Sequence, residues 1–124
     1  MPVSSSLNHV VAFIQPFQLE AVVDALRGLP RFPGMSVTDV RGFGAHLAHP
    51  PAEGEETEVH PFEKKTRVEI FCLPSELVAI IETIRKAAHT GNAGDGKIFV
   101  GPVTLAYRIR TAEWGEGAIL GTRP

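Results

Sequence analysis

Residues 90–97, Thr90-Gly91-Asn92-Ala93-Gly94-Asp95-Gly96-Lys97, run directly into the apolar triplet Ile98-Phe99-Val100. Three glycines and a lysine in a single turn let main-chain N–H groups converge on an anion while an ammonium adds charge. The spacing also satisfies a Walker A loop, with Gly91, four intervening residues and then Gly96-Lys97. Ile98 follows, however, where that loop carries the hydroxyl that holds magnesium. The flanks are reversed as well: a helical pattern precedes the glycines and a strand pattern follows them. The segment therefore reads as a phosphate-binding loop of another kind, set between a helix and a strand.

Working outward, the apolar spacing gives a compact alternation. Val10 to Ile14 is a short, nearly unbroken apolar run, as expected for a strand covered on both faces. Pro16 stops it and can open a helix, in which Leu19, Val22, Val23 and Leu26 share one face. Gly28, Pro30, Pro33 and Gly34 break that helix. Ser36 to Phe43 reads as a second strand. From Gly44 to about Phe62 the composition turns to His, Pro, Gly and Glu without periodicity, and a loop that long in a compact domain is usually functional. Thr66, Val68, Ile70 and Cys72 alternate with Arg67, Glu69 and Phe71 as a third strand. Pro74-Ser75 opens a second helix with Leu77, Ile80, Ile81, Ile84 and Ala88 on its apolar face, and Arg85, Lys86 and His89 near its C-terminal end. A fourth strand is expected from Ile98 to Ile109. The order β-α-β, long loop, β-α-β is that of an α+β, ferredoxin-like split unit, a sandwich of helices on one sheet.

The bulk numbers bound the function. A chain of 124 residues reads as one domain, residues 1–124, that gains by covering apolar surface through oligomerisation. A net charge of -2 argues against nucleic acid or an anionic membrane as the main partner. One cysteine, Cys72, excludes an internal disulfide framework, fits a reducing cytoplasm, and is most simply a small core residue. The N-terminal Met-Pro-Val-Ser-Ser-Ser has the form of no signal peptide, and no apolar stretch approaches a membrane span.

Basic pairs are the second chemical feature. Arg108 and Arg110, two apart on the expected fourth strand, would project from one face, with Tyr107 and Ile109 on the other. Such a pair makes a phosphate clamp. Lys65 and Arg67 repeat the spacing on the third strand. Taken alone, the arginines are as well explained as the solvated face of an edge strand; beside the glycine loop the clamp is the better reading.

Gln15-Pro16-Phe17, Arg41-Gly42-Phe43-Gly44, Arg67-Val68-Glu69-Ile70, the stretch from Thr90-Gly91 to Val100 and the closing Arg108-Ile109-Arg110-Thr111 together resemble the PII nitrogen-regulatory signal-transduction superfamily over nearly all of residues 8–112. The resemblance implies a homotrimer that binds an adenine nucleotide (ATP, ADP or AMP) in each cleft between subunits. Gly91, Gly94, Asp95, Gly96 and Lys97 would wrap the phosphates, and Arg108 and Arg110 would reach them from the adjacent subunit. Gly42, Phe43 and Gly44 would lie along ribose and adenine, with Ser36 near the base and Lys65 near the nucleotide. It also implies a regulated target, a membrane transporter or a metabolic enzyme, engaged through the long loop. A second small effector, bicarbonate or 2-oxoglutarate, and magnesium are left open.

Departures place the chain in a non-classical, PII-like branch. The tyrosine that relatives carry in the long loop for uridylylation is missing; the one tyrosine is Tyr107. His46 stands where the family's magnesium and 2-oxoglutarate site uses a glutamine, and an imidazole cannot present the amide oxygen a hard cation prefers, so 2-oxoglutarate sensing is expected to be weakened or lost. His46, His49 and His60, with Glu53, Glu55, Glu56 and Glu58, offer an alternative as a transition-metal-responsive loop, but without tight ligand spacing solvated loop residues are the better reading. No paired carboxylates or nucleophile–base set points to an enzyme. Trp114 caps an edge or a subunit contact, and residues 112–124 read as a flexible tail.

Overall fold

The computed structural model describes residues 7–44 and 62–120. Strands β1 (Leu7–Ile14), β2 (Ser36–Gly42), β3 (Glu63–Cys72) and β4 (Gly96–Val103) form one sheet in the order β2-β3-β1-β4, every neighbouring pair antiparallel. A 3-10 turn (Pro16–Gln18) and helix α1 (Leu19–Arg27) follow β1, helix α2 (Pro74–Ala88) connects β3 to β4, and a short helix α3 (Glu116–Leu120) comes last. This is the ferredoxin-like α+β order expected from the spacing.

The pairing register explains the core. Val10, Ala12 and Ile14 on β1 stand opposite Ile70, Val68 and Thr66 on β3, and all six are buried. A sheet with side chains alternating across it puts these on one face. Val22 and Leu26 of α1 and Ile80, Ile84 and Ala88 of α2 close over that face in a single cluster. Each fully buried aliphatic side chain contributes about 1.5–3 kcal/mol.

Four differences from the expected pattern have physical causes. First, β1 is covered by helices on one face alone; Val11 and Phe13 on the other are only half-buried. Second, β4 ends at Val103, not at Ile109. Pro102 cannot donate to a ladder, and β4 tolerates it as an edge strand. Beyond it the chain turns back on itself: Tyr107 bridges to Trp114, Arg108 N–H donates to Glu113 O at 2.7 Å, and Gly115 N–H donates to Ala106 O at 3.0 Å. Arg108 therefore lies at the base and Arg110 within the turn of a hairpin-like excursion, and the two do not share a strand face. Third, β1 and β3 begin earlier than their apolar patterns: β1 starts at Leu7, itself buried and paired with Val103, and β3 at Glu63, where backbone pairing with Gly42 continues past the last buried side chain. Fourth, part of the expected tail is helical, at Glu116–Leu120. Residues 45–61, with His46, His49 and His60, lie outside the described residues.

Candidate functional site

At one end of the sheet the termini of all four strands converge. β1 leaves at Ile14 opposite Gly96, β4 enters through Gly96-Lys97, β2 leaves through Arg41-Gly42, and β3 enters through Glu63-Lys64-Lys65 opposite them. The glycine loop 90–95 joins α2 to this end of the sheet.

The loop is organised by its own carboxylate. Asp95 accepts hydrogen bonds from the Thr90 hydroxyl, from Thr90 N–H at 2.7 Å and from Gly91 N–H at 2.9 Å, with His89 Nδ1 at 3.6 Å. The Thr90 hydroxyl and then the loop amides hold its carboxyl below the usual aspartate range. Asp95 thus spends its charge inside the loop and does not face an incoming anion with bare oxygens. Gly91, Gly94 and Gly96 have φ of 86°, 91° and 110°. Gly96 is also required by space: a Cβ there would lie 1.7 Å from Phe13 O.

Gly42, Phe43, Gly44, Lys65, Gly94, Gly96 and Lys97 line one cavity of about 500 Å³, whose remaining walls include Phe13, Val40 and Phe99. Phe13 and Phe99 meet edge to face with centroids 6.2 Å apart, and Phe43 lies 5.4 Å from Phe62. Aromatic walls beside an ammonium and a glycine loop suit a flat ring joined to an anion. The Lys97 side chain makes no ion pair or hydrogen bond among the described residues, while its backbone is paired with Phe13. Lys65 does: its Nζ donates to Gly94 O at 2.7 Å and sits 3.6 Å from a Glu63 carboxylate oxygen.

Ser36 and Arg108 do not join this cavity. They line another, of about 440 Å³, with Gly34, Met35, Glu69 and Phe71. Arg108 is held there by a bond from its guanidinium to Ile119 O at 3.3 Å, while its Nε is buried with no partner among the described residues. Glu69 is fixed on the same sheet face, accepting from His9 Nε2 at 2.6 Å and from Arg67 at 3.0 Å, and His9 stacks on Phe71 at 4.6 Å. The His9 bond first, then Arg67, draws the Glu69 carboxyl below its ordinary range. The second basic pair is therefore engaged internally, Lys65 by the loop and Arg67 by Glu69. Arg110 sits in the turn after Arg108, lining neither cavity. β2 spans Ser36 to Gly42, and six steps of about 3.3 Å put the two cavities roughly 20 Å apart at opposite ends of the sheet.

The sequence profile of the Nitrogen regulatory protein P-II family matches residues 7–113. The chain belongs to that family. Its P-II relatives include the Nitrogen regulatory protein P-II of Azospirillum brasilense, 40% identical over 113 residues that cover 91% of this chain and 100% of the relative. The corresponding protein of Cereibacter sphaeroides is 38% identical with the same coverage, and Nitrogen regulatory protein GlnK of Escherichia coli (strain K12) is 39% identical over 114 residues, 91% of this chain and all of the relative. Among solved structures, Arabidopsis thaliana PII bound to citrate superposes with a TM-score of 0.72 at 37% identity, covering 93% of this chain and 94% of that one. No helix of this P-II chain is long and apolar enough to cross a membrane among the described residues, and no three metal-ligating side chains gather there.

Site residues that sequence reasoning missed are Phe13, Phe99, Gln15, Glu69 and His9. Gln15 stands beside Pro16 in a recognised motif without any sign that its amide reaches 79 residues along the chain. Phe13 and Phe99 read as core in an apolar run, and only the register of β1 with β4 places them on the outer face.

Proposed function

We propose that this P-II protein is a regulatory nucleotide sensor, binding ATP, ADP or AMP where two subunits of a homotrimer meet and controlling a target protein through its long loop. One observation carries the reading: the ligand-suited groups are split between two cavities about 20 Å apart, with Lys97 and the glycine loop at one and Ser36 and Arg108 at the other. One copy cannot close both around a single ligand; the loop end of one copy against the Arg108 end of the next can. Phosphates would then lie on Gly91, Gly94, Gly96 and Lys97, with Arg108 and Arg110 arriving from the neighbour and Gly42, Phe43 and Gly44 beside the ring. Asp95 acts by shaping the loop, and Lys65 lies at the margin.

A ligand that bridges copies also tightens the assembly by mass action. The citrate held by the Arabidopsis relative supports a small anionic effector as a second ligand here, bicarbonate or a carboxylate, with 2-oxoglutarate the weaker choice because His46 replaces the family's glutamine. The target, a transporter or a metabolic enzyme, would be engaged in the cytoplasm through the long loop. In this reading the bound nucleotide is a signal and is not consumed.

The test is complementation. Lys97→Met and Arg108→Ala each remove binding from every cleft of a uniform assembly. Unfolded and refolded together in equal amounts, they restore roughly one cleft in four, because a loop end from the arginine variant must meet an arginine end from the lysine variant. Calorimetry with ATP that finds no recovery on mixing, or full affinity in either variant alone, refutes the shared cleft.

A further inference from the structure

We infer that Gln15 and Lys65 are positioning residues that keep the phosphate loop open to its ligand by pinning one carbonyl, that of Gly94. The consequence for ligand affinity rests on the nucleotide reading above; the pinning itself does not.

Any loop that binds an anion through main-chain N–H groups must turn its carbonyl oxygens elsewhere, since each would repel the ligand. At Gly94 this is done by a φ of 91° and by two donors from different parts of the chain. Gln15 Nε2 reaches Gly94 O at 2.8 Å from just beyond β1, and Lys65 Nζ reaches the same oxygen at 2.7 Å from β3. A carbonyl oxygen has two lone pairs, and both are occupied. The donors sit where a side chain would otherwise be: a Cβ at Gly94 would lie 3.0 Å from Gln15 Nε2 and 3.3 Å from Lys65 Nζ. The Lys65 side chain is only 14% exposed, and one of its bonds is charge-assisted, the stronger class.

The two lysines of this cavity consequently have separate tasks. The Lys97 side chain has no partner among the described residues and carries the charge that an anion meets. Lys65, although it lines the same cavity, has its ammonium on the loop and adds to ligand binding by fixing where the amides point. A neutral residue shares that task, which separates pinning from simple charge: losing the Gln15 amide changes no charge at all.

Hydrogen–deuterium exchange of the ligand-free, full-length protein decides the matter. Gln15→Ala and Lys65→Met should each speed exchange across residues 90–97 by about tenfold, the order of one hydrogen bond to the loop, and leave the β1 and β3 peptides unchanged. Gln15→Glu, which has no donor at neutral pH, should behave as the alanine variant, whereas Gln15→Lys should restore protection. In calorimetry with ATP, Gln15→Ala should weaken affinity about threefold to tenfold. Loop exchange unchanged in Gln15→Ala, or full protection in Gln15→Glu, overturns the inference, and these two variants stand even where Lys65→Met fails to fold. ATP that does not bind the unaltered protein refutes the nucleotide reading, and exchange then decides the pinning by itself.

Discussion

Gly96→Ala tests the loop-to-strand junction most directly. A Cβ on Gly96 would stand 1.7 Å from Phe13 O and 2.8 Å from Phe13 C, both backbone atoms, at a φ of 110°. Real Cβ contacts hardly ever fall below 3.0 Å, so the strands must part by at least 3.0 - 1.7 = 1.3 Å at that point. A flexible neighbour could swing aside, but a backbone carbonyl in a paired strand can move only with its strand. The change therefore disrupts the first rungs of the β1–β4 ladder, at Ile14↔Gly96 and Phe13↔Lys97. Two hydrogen bonds at about 1 kcal/mol each, plus about 1–2 kcal/mol for a non-glycine residue at positive φ, give a loss of roughly 3–4 kcal/mol. Gly91→Ala is the matched control: its φ is 86°, but the nearest atom to a new Cβ is His89 Nε2 at 3.9 Å, so only the conformational cost of about 1–2 kcal/mol applies. Urea denaturation of both variants at one fixed protein concentration measures the difference. A Gly96→Ala protein within about 0.5 kcal/mol of Gly91→Ala would refute the argument, because the backbone clash is the part that distinguishes them.

Two further outcomes follow from the carboxylates. Asp95 has a folded-state pKa below its unfolded value, so its contribution is fully present above about pH 4 and is lost as pH falls through the lowered folded value; the Gly91 amide resonance should move in acid as Asp95 takes up its proton, and Asp95→Asn should abolish that acid movement. Removing the imidazole in His9→Ala takes away the leading cause of the depressed Glu69 pKa, so the Glu69 carboxyl, followed by carbon NMR, should titrate at higher pH than in the parent, and an unchanged midpoint would assign the shift to Arg67 instead.

Much of the fold was legible because helix and strand periods are local properties. Val22 with Leu26, and Ile80 with Ile84 and Ala88, fall at helical spacing and are buried as that spacing requires. The turn conformation of the glycine loop was legible for a similar reason, since the glycines that adopt positive φ fall within eight consecutive residues. What stayed hidden depends on pairing between distant segments. Arg108 and Arg110 alternate as strand residues do, yet Pro102 and the Tyr107–Trp114 bridge take them out of the sheet. Lys65 and Arg67 read as a free basic pair because their partners, Gly94 O and Glu69, depend on a loop contact and on side-chain geometry. Asp95 reads as a ligand contact because spacing alone cannot say that its oxygens point back to Thr90 and Gly91.

The unbroken apolar run of β1 holds the most instructive disagreement. Its pattern predicts a strand covered on both faces, and within one copy the helices cover only Val10, Ala12 and Ile14. The other face carries Val11 and Phe13, beside Phe99 at 54% and Phe71 at 43% exposure, and it bears the ion-paired set of His9, Arg67 and Glu69. A stretch apolar on both sides is costly to leave half in water, at about 25 cal/mol for each Å² of apolar surface. Internal pairing of the charges on that same face lowers the cost of removing them from water, since neither partner is left bare. The face thus combines two properties that favour burial against another copy, and under the proposed function that copy would also complete the cavities at its two ends. A mutation that places a bare charge at Val11, such as Val11→Asp, bears on both at once: it should weaken self-association and nucleotide affinity together, and a variant that lost association yet kept full affinity would break the link between them.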